Sequence, residues 1–411
     1  MENSKALKMP ASRKMRNSGV KMLNMLGTKG KQNMIVIAAL IVLVVIFAAL
    51  NPRFVSTGNI VSMAQSLAPY AIMALGVTFV IATGGIDLSI GTVCIASAVV
   101  AGKMYEGGMP LWLTIPVMIL IGTLFGFVNG LLVAKLKLPA FIATLGTMMF
   151  ARGLSAIIVA VPNIFFPSGT WFNKLFSNVN DMPVGLFWVV GFGIICMYLM
   201  YKCKIGRYIL SIGSNEEATR LSGINTDKYK VIAYTLSGIG AGIAAIFWAA
   251  SFPTVAAATG NGMELDAIAG VYIGGTSAAG GVASIAGSII GSIMLVVIRS
   301  GLNYVLARFD LTVNATYVTY VLTGIIVVVA VLMDVIKNKN ANKVKIETEA
   351  DKYKRLYKEH NYQLESQIDA AWVDASLNDR ERKNKIEALE KEIAANKVTF
   401  KAEYAKLKQA K

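Results

Sequence analysis

Residues 34–50 read MIVIAALIVLVVIFAAL, seventeen positions without a charge, a proline or a glycine. A bilayer's hydrocarbon core is crossed by about 20 helical residues at 1.5 Å of rise each, so this run is long enough to span. Residues 1–32, ahead of it, carry eight basic groups and one acid. That arm is too long for the charged start of a secretory leader, and no cleavage site follows, so the run reads as an uncleaved first span.

Nine further apolar runs follow, at about 66–84, 87–102, 111–134, 140–161, 184–201, 231–251, 264–279, 283–300 and 314–335. The expected fold is an all-α polytopic membrane protein of about ten transmembrane helices, within nine to eleven. The eighth run is short and dense in glycine, and is expected to be partly inserted or broken. The chain is 55% hydrophobic with a mean hydropathy of +0.57, which excludes disorder. Cys94, Cys196 and Cys203 are too few for a disulfide framework and read as reduced structural thiols.

The net charge of +16 would be odd for so apolar a chain if it were spread evenly. It is not. Residues 33–335 carry fourteen bases and ten acids, and residues 336–411 carry eighteen and thirteen. Three segments result: a basic arm (1–32), an apolar domain (33–335) and a charged tail (336–411). Lys135, Lys137, Lys202, Lys204, Arg207, Arg220, Lys228, Lys230, Lys337 and Lys339 fall in alternate connections. The opposite connections hold only Arg53, Lys103, Lys174 and Arg308, with Arg299 near an outer end. By the positive-inside rule both termini are cytoplasmic. The arm is expected to rest on anionic lipid, and the charge calls for no nucleic acid.

Small residues recur four apart at Gly122, Gly126 and Gly130, at Gly238 and Gly242, at Gly270 and Gly274, and at Gly287 and Gly291. Such spacing lets helices approach closely in lipid, within one bundle or between two copies. Several chemistries are excluded. The single histidine, His360, lies in the tail, which removes a zinc protease motif or a histidine proton relay, and no metal site is expected. GTKGKQ at 27–32 lacks the first glycine and the hydroxyl of a phosphate-binding loop, and GIGAG at 238–242 lies inside a span. The chain is not expected to be an enzyme or to hold a cofactor.

Polar groups at membrane depth are few. Asp87 sits in ATGGIDLSIG (82–91), Glu264 and Asp266 in GNGMELDAIAG (260–270), and Asn129 late in the fourth run. A carboxylate at this depth needs a cavity or partners. Asp87 and Asp266 each precede an apolar run, so each reads either as a helix N-cap or as a contact to substrate or gate. I-D-L-S-I-G (86–91) and L-D-A-I-A-G (265–270) look like two equivalent elements. A secondary transporter using Asp87, Glu264 or Asp266 as ion sites is the alternative these residues allow.

In KCKIGRYILSIGSNEEATRLSGINTDKYK (202–230), Ser214 or Asn215 can cap a short helix with Glu216 and Glu217 in its first turn, ended by Gly223. With Arg220 exposed, such a helix suits docking of a soluble partner. E-A-T-x-x-x-G at 217–223 resembles the docking loop by which ABC importer permeases engage their ATPase subunits, with Thr219 in place of the usual second alanine. GGIDLSIG (84–91), LPAFIATLGTMMFARGL (138–154), GRYILSIGSNEEATRLSGI (206–224) and GMELDAIAGVYIGGTSAAGG (262–281) resemble one branch: permeases of monosaccharide ABC importers of the ribose, galactose and xylose type. Ser214, Gly270 and Ala283 depart from that pattern.

The resemblance implies a homodimeric permease in the bacterial plasma membrane, similar in fold to vitamin B12 importers. It implies a separate ATPase that binds ATP and Mg, and an extracytoplasmic binding protein that delivers the sugar. Gly206, Arg207, Asn215, Glu216, Glu217, Ala218, Arg220 and Gly223 would form the docking loop. Asp87, Asn129, Phe141, Thr144, Glu264 and Asp266 are the candidates to line or gate the path.

The tail reads as two helices. One spans 347–376, with Tyr353, Tyr357, His360, Leu364, Ile368 and Ala371 on a stripe. After a break at 377–379 the second carries Ile386, Leu389, Ile393, Phe400, Tyr404 and Leu407, with Asn396 at a core position. Asn378 or Asp379 suits its cap. A helical hairpin or short coiled coil follows, and docking on the ATPase or a dimer mate competes with a loosely ordered tail.

Overall fold

The computed structural model describes residues 28–159, 164–179, 182–252, 254–256, 259–308, 349–374 and 376–409, with scattered residues between 318 and 336. The basic arm to residue 27 and most of the tenth apolar run lie outside the described residues. The chain forms two compact units, one of Thr28–Asn340 and one that includes Ala341–Lys411.

In the larger unit α1 (Thr28–Leu50) leads through a 3-10 turn (Pro52–Val55) to α2 (Thr57–Ala82), α3 (Ile90–Glu106), α4 (Leu111–Ala134) and α5 (Ala140–Val159). Next come α6 (Trp171–Phe176), α7 (Gly185–Tyr201), α8 (Lys204–Ser214), α9 (Glu216–Leu221), α10 (Thr226–Ser251), α11 (Met263–Ile273) and α12 (Ile285–Arg308). A two-stranded antiparallel pair, Ile164–Phe165 with Thr254–Val255, ties the chain after α5 to the chain after α10. Among the described residues five helices are long and apolar enough to cross a membrane: α2, α4, α5, α10 and α12. A sixth span results if α7 and α8, which meet at 65°, count as one.

Two of the apolar runs are not continuous helices. Run 87–102 becomes α3 only from Ile90, after a non-helical segment at 85–89. Run 264–279 becomes the eleven-residue α11, about 16 Å long. The cause is GGTSAAGG at 274–281, where Gly275, Gly280 and Gly281 take positive φ, which an α-helix cannot contain. This backbone is satisfied by protein, as depth in a membrane demands. Gly281 N–H donates to Ala82 O at 3.0 Å, and the Tyr201 hydroxyl donates to Ala283 O and accepts from Ile285 N–H, both at 3.1 Å.

The interior is built around α2 and α10. From Leu67 to Ala82 nearly every residue of α2 is buried. Apolar side chains on α1, α5 and α7 instead face outward, with Val45, Phe150, Ile157 and Phe187 among them. Lipid supplies no hydrophobic drive between helices, so contact rests on small residues. A Cβ at Gly238 would lie 2.2 Å from Gly122 O, and one at Gly242 would lie 2.5 Å from Met118 O. The α4 and α10 backbones therefore touch, and Gly270 of α11 and Gly274 at its C-cap meet Gly291 and Gly287 of α12 in the same way. All four small-residue sets expected from the sequence are used inside one chain.

In the tail α13 (Glu349–Val373) and α14 (Asp379–Gln409) fold against each other. Asn378 caps α14: its Oδ1 accepts from Glu381 N–H at 2.9 Å while Glu381 Oε2 accepts from Asn378 N–H at 3.1 Å. Leu364, Ile368, Ala371, Ile386 and Leu389 form a small core. Beyond it Tyr357 stacks on Phe400 at 3.9 Å between ring centroids, with Tyr353 and Tyr404 alongside.

Candidate functional site

The short helix within residues 206–223 folds as its sequence spacing predicts. Asn215 is extended, and its Oδ1 accepts from Ala218 N–H at 2.9 Å, starting α9. Gly223, at φ +82°, ends it in a conformation that a side chain would strain. Gly206 sits at the α7–α8 elbow, where a Cβ would lie 2.0 Å from Met200 O. Arg207, Glu217, Ala218 and Arg220 are exposed, and Thr219 is buried with its hydroxyl 2.8 Å from that of Ser211. Leu221, missed in the sequence reading, is 84% exposed beside them. A leucine at a helix end gives no sign in the sequence of which way it faces.

Glu216 turns the other way. Its Oε2 accepts from Lys230 Nζ of α10 at 2.5 Å and its Oε1 from Arg220 at 3.1 Å. Partial burial opposes ionisation, but the Lys230 hydrogen bond and charge, with Arg220 and Lys137, hold the carboxyl below its usual range. Lys137, in the α4–α5 turn, reaches Asp227 of α10 at 2.5 Å. It has φ +57° and is the non-glycine residue with positive φ among the described residues. A cavity of about 640 Å³ lies between this turn, α9 and the turn at 83–85.

Deeper in, one hydrogen-bonded chain joins four elements. Asp87 Oδ2 accepts from the Ser237 hydroxyl of α10 at 2.8 Å, and its Oδ1 accepts from Ser89 N–H at 3.0 Å and Ser89 Oγ at 2.6 Å. Ser89 Oγ accepts from Asn129 Nδ2 of α4 at 2.8 Å, and Asn129 Oδ1 accepts from the Thr147 hydroxyl of α5 at 2.5 Å. Asp87, Ser89, Asn129 and Ser237 are all essentially buried. The N-cap of α3 is thus Ser89 and not Asp87, which closes an Asx turn just before it.

Asp266 is not a cap either. Gly262 is the N-cap of α11, and Asp266 lies in the helix with its carboxylate on Arg299 of α12. Arg299 also donates to the Tyr70 hydroxyl at 2.7 Å and lies over that ring. Asp87 before its helix and Asp266 inside one are therefore not equivalent, and the shared sequence pattern has no structural counterpart. Glu264 is buried at the start of α11 against Gly91, where a Cβ would lie 2.6 Å from its Oε2, so the first turns of α3 and α11 meet at this carboxylate. Thr144 is buried on α5 and donates to Ala140 O at 2.8 Å, whereas Phe141 is 56% exposed. The six path candidates fall in three places: Asp87 with Asn129, Glu264 with Asp266, and Phe141 with Thr144 on α5. The sequence reading also passed over Arg152, in the apolar α5, although a charge inside an apolar run was the signal.

The family described as branched-chain amino acid transport system / permease component matches residues 59–331. The chain belongs to this family of transport permeases. Relatives include the ribose import permease protein RbsC of Haemophilus influenzae, 35% identical over 72% of this chain and 91% of its own. RbsC of Bacillus subtilis is 37% identical over 72% and 90%, and the fructose import permease protein FruF of Bifidobacterium longum 35% over 69% and 80%. No solved structure matches. The matched region runs from the first turn of α2 through α12, whereas α13 and α14 lie beyond it. Among the described residues of the permease there is no cluster of side chains able to hold a metal ion.

Proposed function

We propose that this permease is the membrane subunit of an ABC importer that carries a monosaccharide delivered by an extracytoplasmic binding protein. The observation that carries this reading is the family relation, with relatives named for import of ribose and fructose. ATP and Mg belong to a separate ATPase, which docks on Glu217, Ala218, Arg220 and the neighbouring Leu221. Ten passes, with both termini in the cytoplasm of a bacterial cell, are supported by the bias of basic residues toward the α9 end. A fold similar to vitamin B12 importers rests on the resemblance of the four motif stretches.

The permease pair is a homodimer. Gly146 and Gly153 on α5 support it: a Cβ at either would meet no described residue within 4 Å, whereas the paired glycines of α4 and α10 are already filled within the chain, which leaves this face to a second copy. The sugar enters at the end remote from α9. There a cleft of about 260 Å³ is lined by Tyr70, Trp248, Phe252 and Tyr304 together with Ser66 and Asn303. Ring faces with hydroxyls and amides suit a small neutral polyol, and the one cation, Arg299, is neutralised by Asp266. Asp87, Asn129, Phe141, Thr144, Glu264 and Asp266 are proposed to shape the path and its gates.

The docking assignment is tested with Glu217→Lys and Leu221→Asp in the full chain. Both variants are expected to insert normally and to lose co-purification of the ATPase. Unchanged co-purification in both contradicts it.

A further inference from the structure

Three residues of α10 share a face at spacings of four and three: Lys230, Tyr234 and Ser237. Each side chain makes a hydrogen bond outside its helix, and these bonds run in order from the surface inward. Lys230 holds Glu216 of α9. Tyr234, fully buried, donates its hydroxyl to Ile86 O at 3.2 Å. Ser237, also fully buried, donates to Asp87. From Lys230 to Ser237 the helix rises about 10 Å.

The neighbouring helix adds to this. The glycine contact makes α4 and α10 one rigid pair, and α4 grips the same segment through Asn129 and Ser89. At the other end the pair is held by α9 through Glu216 and by the α4–α5 turn through Lys137 and Asp227. The segment held, residues 86–89, is non-helical chain between α2 and α3, so it can shift without breaking a helix.

We infer that the Lys230, Tyr234 and Ser237 face of α10 is the link that transmits movement of α9 to residues 86–89. The three are positioning residues for the gate. The inference rests on the ABC importer reading and adds the route by which ATPase movement reaches the bundle interior. Displacing α9 moves the α4–α10 pair through the Lys230–Glu216 ion pair and the Arg220 hydrogen bonds to Thr226 Oγ1, and the buried Tyr234, Ser237 and Asn129 side chains oblige the 86–89 backbone to follow.

The test uses the full permease–ATPase assembly in proteoliposomes with the binding protein and ribose as probe. Tyr234→Phe keeps the ring and removes only the hydroxyl, and Ser237→Ala removes the bond to Asp87. Thr235→Ala is the control, since that hydroxyl donates to Val231 O within its own helix. Both test variants are expected to retain the ATPase on co-purification while ribose moved per ATP hydrolysed falls about tenfold, a size usual for residues on a coupling route. Thr235→Ala keeps the wild-type ratio. Lys230→Met combined with Tyr234→Phe is expected to be no worse than the worse single change, because the two act in series. A wild-type ratio in Tyr234→Phe overturns the inference even if Ser237→Ala fails to insert, and so does a fall that comes with loss of the bound ATPase. Absence of ATP-driven uptake in the wild type overturns the importer reading itself, which is a separate result.

Discussion

Asp87 is 2% exposed in an apolar bundle, yet both its oxygens are hydrogen-bonded. Replacing it by leucine strands the Ser89 and Ser237 hydroxyls and is expected to cost about 1–3 kcal/mol, read as a lower midpoint of thermal unfolding in detergent. Asn129→Leu should cost a similar amount. The double variant should fall short of the sum, because both residues serve one network. Glu216 makes the opposite kind of prediction. Its folded pKa is depressed, so its contribution is present above the unfolded value and is lost only as pH falls through the folded one. A distance between labels on α9 and α10 is therefore expected to hold from neutral pH down through the ordinary carboxylate range and to lengthen only below it. At this scale the residue types were legible in the sequence and the partners were not. Asp87 and Asn129 stand out as polar groups in apolar runs, but nothing in their spacing says that they meet through Ser89, forty residues from Asn129 in sequence.

At the scale of elements, the α4–α10 contact leaves no room for a side chain. Gly122→Leu and Gly238→Leu are each expected to abolish a monodisperse folded protein on size exclusion, whereas Gly191→Leu on α7, where a Cβ would meet no described residue within 4 Å, should leave it intact. The small-residue spacing announced such contacts, and the structure shows which helices share them. Run 264–279 was legible as irregular because of its glycines. That α11 ends at Ile273 depends on the positive φ of Gly275, a consequence of how the following chain packs on Ala82 and Tyr201. The N-cap expectation failed at Asp266 because a carboxylate at depth found a stronger partner in Arg299. In the tail, the Asn378 cap and the apolar stripes were readable, since both are local patterns. Asn396 Nδ2 is buried there with no hydrogen-bond partner among the described residues. Asn396→Leu should therefore stabilise the hairpin by about 1–3 kcal/mol, measured as slower amide hydrogen exchange in α13 and α14.

For the whole molecule, composition and charge set an apolar middle apart from a basic arm and a charged tail, and the contacts divide the chain into two units, one of Thr28–Asn340 and one that includes Ala341–Lys411. The tail has a core of its own, and the family match ends at residue 331. A chain ending at residue 340 is expected to insert and to support uptake, as measured in proteoliposomes. On the importer reading, ATP drives sugar through this permease. It is tested most directly by labelled ribose or fructose uptake into proteoliposomes holding the permease and its ATPase, with ATP inside and loaded binding protein outside. Uptake that requires all three and persists when a protonophore collapses the proton gradient is the predicted result. Uptake driven by a proton gradient alone, with no ATP and no ATPase, would contradict the account and return Asp87, Glu264 and Asp266 to the role of ion sites.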